Sequence, residues 1–122
     1  MSRILIVDDS WLVRTTVSQM LTDEGHEVSE AINGVEAIES LEIDVPDCLL
    51  LDLSMPEMDG FELLAEIKKQ EMKVPVLIFS TETNKTTLKK CSELGATGFV
   101  KKPPEIEDIR NALLYALSGE ES

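Results

Sequence analysis

The chain has 122 residues, 43% hydrophobic and 29% charged, and a formal net charge of −13. This composition suits a folded chain with one core, and its acidity argues against direct binding to a phosphate backbone. The longest uncharged run near a strand, "VPVLIFST", is too short for a bilayer, and the amino terminus meets two aspartates too soon for a signal peptide. We expect a soluble, cytosolic protein with one domain over residues 1–122, a core about 3–118 and a short acidic tail.

In chain order, residues 3–8 predict a buried strand that ends in Asp8 and Asp9. Leu12, Val13, Thr16, Val17, Met20 and Leu21 form the apolar stripe of a first helix, which Gly25 should stop. Residues 27–31 read as a second strand, and Val35, Ile38 and Leu41 as a second helix opened by Asn33 and Glu36 at capping-box spacing. The third strand, 47–52, delivers Asp52, and the helix stripe Phe61, Leu64 and Ile67 follows, opened by Asp59 and Glu62. Residues 75–80 form a fourth strand ending in Ser80, before Thr81 and Glu82. A fourth helix carries Leu88, Cys91 and Leu94 up to Gly95. The fifth strand, 97–101, runs into "VKKPP" with Lys102, and Ile106, Ile109, Leu113 and Leu117 mark a last helix that Gly119 should end.

Three of the strands, "ILIV", "CLLL" and "VLIF", are continuous apolar runs, as in a sheet covered on both faces. Five strand-helix units without a linker or repeat predict one α/β doubly wound domain, whose site lies in the loops at the carboxyl ends of the strands. Cys48 and Cys91 sit in apolar patterns without a CxxC pair, and His26 is the single histidine, so a zinc site lacks ligands. The cysteines read as small buried hydrophobes and His26 as a solvated turn residue.

Asp8, Asp9, Asp52, Ser80 and Lys102 would converge at that edge. Each alone has an ordinary explanation: Asp9 or Ser10 could cap the first helix, Asp52 a turn, Ser80 could satisfy a loop amide, and Lys102 could be a solvated charge. Together, three carboxylates at one sheet edge are electrostatically costly, and a cation relieves them. Oxygen ligands without histidine or thiolate favour a hard ion, and a small cluster suits Mg²⁺. With the charge neutralised, Asp52 can act as a nucleophile on phosphorus, Lys102 and Ser80 meeting the charge of the transferring group. The product is an aspartyl phosphate.

In this order, "ILIVDDS", "LLLDLSMPEMDG", "PVLIFSTE" and "GATGFVKKP" resemble the response-regulator receiver domain of two-component signalling, the CheY-like family, over nearly the whole chain. The resemblance implies a flavodoxin-like (βα)5 fold, with a five-stranded parallel sheet in the order 2-1-3-4-5. It also implies that Asp52 is the phosphoacceptor, supplied by a histidine kinase or phosphotransfer protein. By the same resemblance Asp9 binds Mg²⁺ directly, Asp8 mainly through water, Asp52 through an oxygen and Ser54 through its backbone carbonyl. Ser80 and Lys102 then bind phosphoryl oxygens, and Phe99 with Ser80 forms the switch, although Phe99 also fits an ordinary core aromatic. Ser54 and Glu82, two residues past Asp52 and Ser80, should flank the path of the hydrolytic water and tune the decay rate.

The sequence departs from the commonest family pattern at Pro104, where an aromatic often follows the Lys-Pro pair. The family usually has a cis peptide at this pair, and Lys102-Pro103 could adopt one at modest cost. Three other readings differ in class. An FMN carrier of this architecture needs a Ser/Thr/Gly-rich loop after the first strand, where Asp8 and Asp9 stand. A haloacid-dehalogenase-type hydrolase usually needs a second aspartate where Ser54 stands. A receiver-like interaction module that is not phosphorylated would lack a reason for the full residue set. Only "SGEES" follows Leu117, which predicts a stand-alone regulator acting through protein-protein contact. Its output face is expected at the fourth helix and fifth strand, where Lys85, Lys89, Lys90, Lys101 and Lys102 against Glu93 give +5 − 1 = +4. The bland reading is a solvated helix face.

Overall fold

The continuous apolar runs form the middle of a parallel sheet, because only a strand covered on both faces can bury every side chain. A computed structural model describes residues 2–53, 55, 58–81 and 84–118. Ser54, Glu82 and Gly119, which carry expectations above, lie outside the described residues. The chain alternates β1 (Arg3–Val7), α1 (Trp11–Asp23), β2 (Glu27–Ala31), α2 (Gly34–Ile43), β3 (Cys48–Leu51), α3 (Gly60–Lys69), β4 (Val76–Ser80), α4 (Lys85–Glu93), β5 (Gly98–Lys101) and α5 (Ile106–Leu117). The strands lie in the order β2-β1-β3-β4-β5, all parallel, as expected for a doubly wound sheet.

Alternation along each strand divides the core in two. Leu5, Val7, Leu49, Leu51, Val76 and Ile78 pack against Ala37 and Leu41 of α2, Leu63, Leu64 and Ile67 of α3, and Cys91 of α4. Ile4, Ile6, Cys48, Leu50, Leu77, Phe79 and Val100 pack against Val17 and Leu21 of α1 and Ile109, Leu113 and Ala116 of α5. Each fully buried Leu or Ile contributes about 1.5–3 kcal/mol relative to an exposed one. Cys48 and Cys91 are free, buried and on opposite faces of the sheet. Burial pushes the Cys48 thiol up to about 12, so it behaves as the small hydrophobe its pattern indicated.

The helix ends follow the expected chemistry, with adjustments. Gly25 and Gly95 take φ of 89° and 101°, the left-handed geometry that ends α1 and α4. Asp59 and Glu62 form a complete capping box, whereas Glu36 reaches past Asn33 and accepts from the Ile32 N–H at 2.9 Å. Three positions of the expected apolar stripes stay outside the core: Leu12 is 66% and Val35 44% exposed, and Thr16 is exposed as well. Leu12 and Val35 stand in the first turns of their helices. Among the described residues no helix is long and apolar enough to cross a membrane.

Candidate functional site

Strand register builds the site. Val7 pairs with Leu51 and with Ala31, and the ladder continues one residue further. The Asp52 N–H donates to the Val7 carbonyl at 2.9 Å and the Asp8 N–H to the Ala31 carbonyl at 3.1 Å. Asp8 and Asp52 therefore leave neighbouring strands side by side. On the other side, Ser80 pairs with Lys101, and the Lys102 N–H donates to the Ser80 carbonyl at 3.0 Å. Four strand ends bring together residues up to 94 positions apart.

Ser10, not Asp9, caps α1: its side chain accepts from the Val13 N–H at 3.2 Å. That leaves Asp9 exposed at the rim, while Asp8 and Asp52 are 1% and 6% exposed. One oxygen from each of Asp8, Asp9 and Asp52 lies within 4.8 Å of the others. Asp8 is tightly held, its Oδ1 accepting from the Ser10 N–H at 2.9 Å and its Oδ2 from Lys102 Nζ at 2.8 Å. Lys102 Nζ also donates to Asp52 Oδ1 at 3.2 Å and lies 5.0 Å from the centre of the Phe79 ring. Burial lowers the pKa of Lys102, but the hydrogen bond to Asp8 and the charges of Asp52 and Asp8 outweigh it. The net shift is upward, so Lys102 is an ammonium at neutral pH.

This ammonium compensates the acidic group in part, leaving a formal balance of −3 + 1 = −2, which one divalent cation would neutralise. All three donors are carboxylate oxygens, a set that fits Mg²⁺ with water completing the shell. Asp52, Ser80 and Lys102 line one open cleft with Asp59, Phe61, Thr81 and Thr87. Ser80 is nearly buried at its floor, 9% exposed. Asp59 is engaged as the α3 cap.

The other expected residues are also placed. Phe99 is 38% exposed, so the core-aromatic alternative does not hold; its ring lines a groove between β5 and α5 with Lys101 and Tyr115. The Lys102-Pro103 peptide is cis. His26 is half-buried at the opposite edge of the sheet, its Nδ1 accepting from the Ser2 N–H at 3.2 Å, rather than a solvated turn residue. Sequence reasoning missed Gly60 and Arg14. A Cβ on Gly60 would lie 2.6 Å from the Asp52 carbonyl oxygen and 2.7 Å from Leu53 Cα. The amino end of α3 thus closes directly on the backbone that carries Asp52. Gly60→Ala is expected to lose about 1–3 kcal/mol of stability through overpacking; an unchanged urea midpoint would refute this close-packing role.

A fold of this order with an acidic group, a hydroxyl and a lysine at its carboxyl edge is the arrangement that the sequence resemblance to a receiver domain implies. The chain belongs to the response regulator receiver domain family, whose sequence model matches residues 4–114. It is 45% identical over 106 residues to a protein-glutamate methylesterase/protein-glutamine glutaminase of Treponema denticola, covering 83% of this chain but 28% of that protein. It is 33% identical over 111 residues to sporulation initiation phosphotransferase F of Bacillus subtilis, covering 91% of this chain and 90% of that one. The solved structure of Vibrio cholerae chemotaxis protein CheY4 superposes with a TM-score of 0.90 at 34% identity, over 96% of this chain and 99% of that one. The chain thus spans nearly all of some relatives and under a third of the Treponema protein. Membership makes this a regulatory domain of two-component signalling, with a histidine kinase or phosphotransfer protein as the implied partner.

Proposed function

We propose that this domain is a switch phosphorylated on Asp52 in a Mg²⁺-dependent reaction, and that phosphorylation changes its protein-protein binding. The observation that supports it is one cleft lined by Asp52, Ser80 and Lys102, with an oxygen from each of Asp8 and Asp9 within 4.8 Å of one from Asp52. An Asp52 oxygen attacks phosphorus while the bond from phosphorus to the donor breaks, its electron pair leaving with the donor. Lys102, already within hydrogen-bond distance of Asp52, turns its N–H donors toward the arriving phosphoryl oxygens, and the Ser80 hydroxyl can donate to another. Asp8, Asp9 and Asp52 would hold Mg²⁺, whose charge would offset that of the carboxylates and of the phosphoryl group.

Intact-mass analysis with acetyl phosphate tests this reading. One phosphoryl group should appear with Mg²⁺ and none with EDTA, and hydroxylamine should remove it, as expected for an acyl phosphate. A Mg²⁺-independent or hydroxylamine-resistant adduct would reject it.

Within this reading Ser54 and Glu82 tune the lifetime, since they follow Asp52 and Ser80 by two positions. Exchanging both for larger or oppositely charged residues is expected to change the dephosphorylation rate while leaving Mg²⁺ affinity nearly untouched. Identical decay curves would exclude the role.

The output face of the switch is α4 with β5. Lys85, Lys89, Lys90 and Lys101 are exposed there against Glu93; with Lys102 paired inside the cleft, the balance is +4 − 1 = +3 in a chain of −13. α4 buries only Cys91, so it is the least anchored helix, and Lys90 leans over the Phe61 ring at 4.2 Å. A partner with an acidic surface, steered by charge, fits this face. Changing Lys85, Lys89 and Lys90 to glutamate is expected to slow association with the partner recovered by beryllofluoride-dependent pull-down, most strongly at low salt. Unaltered association across salt concentrations would leave these lysines as an ordinary solvated face.

A further inference from the structure

Arg14 lies behind the acidic group, one turn into α1, with its side chain only 11% exposed. Its Nη1 donates to the backbone carbonyl of Asp8 at 2.8 Å and its Nε to Glu30 Oε1 at 3.0 Å. Glu30 stands on the edge strand β2, and its other oxygen accepts from the Ser18 hydroxyl at 3.1 Å. The guanidinium is a rigid fork, so two acceptors in different directions fix its plane. The turn between β1 and α1 is thereby tied at the Asp8 carbonyl, while Ser10 and Lys102 hold the Asp8 carboxylate.

We propose that Arg14 is a positioning residue for the cation site: through the Asp8 carbonyl it fixes the turn that presents the carboxylates of Asp8 and Asp9, and Glu30 aims it. The proposal rests on reading Asp8, Asp9 and Asp52 as a Mg²⁺ site. Two effects of opposite sign compete at Arg14. As a charge, the guanidinium repels a divalent cation, so its removal would tighten binding. As a tether, it holds the ligand-bearing turn, so its removal weakens binding. Glu30 pairs with the guanidinium at 3.0 Å and offsets its charge, which leaves the tether as the larger effect.

Calorimetric titration with Mg²⁺ decides the sign, with melting temperatures in EDTA recorded for each variant. Arg14→Gln is expected to weaken affinity about tenfold, in the range seen when groups that orient metal ligands are removed. Glu30→Gln keeps an acceptor for Arg14 but uncovers its charge, so it should weaken binding only slightly, whereas Glu30→Ala, with the same loss of charge, should bind more weakly than Glu30→Gln. The double variant Arg14→Gln with Glu30→Ala should be no weaker than Arg14→Gln, because Glu30 acts through Arg14. Glu30 is 41% exposed, so its variants keep the test open if Arg14→Gln does not fold. Parent-like or tighter binding by Arg14→Gln, or equal affinities for Glu30→Ala and Glu30→Gln, would overturn the role of Arg14 alone. A parent protein that binds no Mg²⁺ would overturn the cation site, and this proposal with it.

Discussion

Asp52→Asn is expected to take up no phosphoryl group from acetyl phosphate under conditions that label the parent. The amide differs from the carboxylate by one group, and its oxygen can still accept from Lys102 Nζ, so the cleft should persist. What is lost is the anionic nucleophile, without which the step has no attacking oxygen of comparable strength. Other carboxylates of the region are poor substitutes. Asp8 is 1% exposed with both oxygens engaged, and Asp59 accepts from the Glu62 N–H as the α3 cap. Asp9 is exposed at the rim, so Asp9→Asn serves as the comparison: it should retain labelling at a reduced rate. Equal labelling of Asp52→Asn and the parent would reassign the acceptor, with Asp9 the first residue to examine.

How much of this was legible in the sequence follows from what each feature depends on. Continuous apolar strands, their order of appearance and the residues at their carboxyl ends are local properties, and β1, β3 and β4 came out within a residue of expectation. The sharing of one ammonium by Asp8 and Asp52 depends on the register of four strands, β1, β3, β4 and β5, which "DDS" and "VKKPP" do not encode separately. Leu12 and Val35 satisfied the helical period and still became exposed, because periodicity reports which face a residue takes and not whether anything packs over it. Arg14 carried no signal at all: an arginine on an amphipathic helix reads as its solvated face until the Asp8 carbonyl and Glu30 are found beside it. Gly60 offered one clue, its place directly after a capping aspartate, but the need for a missing Cβ arises from the Asp52 backbone across the loop.

Asp9→Asn is expected to melt higher than the parent in EDTA and lower than the parent in millimolar Mg²⁺. In the metal-free protein three carboxylate oxygens lie within 4.8 Å of one another with one ammonium among them, a formal −2 that Asp9→Asn reduces to −1. Because Asp9 is exposed and screened, the relief is at most about 1 kcal/mol. For a domain of this length that corresponds to a rise of at most roughly 3–6 °C. Saturating cation works in the other direction. A ligand at a hundred times its dissociation constant stabilises the parent by about 2.7 kcal/mol, and a variant that has lost a ligand oxygen gains far less at the same concentration. The two melting curves therefore exchange order as Mg²⁺ is added. Asp8→Asn should behave differently, since the Asp8 carboxylate is the buried partner of Lys102 and of the Ser10 N–H. Replacing it weakens a charge-assisted pair in the core of the site and should cost about 1–3 kcal/mol of metal-free stability, lowering the midpoint in EDTA. Its loss of Mg²⁺ affinity should be smaller than that of Asp9→Asn, because the Asp8 oxygens are already engaged by protein donors. Thermal melts of the three proteins over graded Mg²⁺ measure all of this at once. A parent midpoint that does not move with Mg²⁺, or an Asp9→Asn variant that keeps the full increment, would remove Asp9 from the cation site.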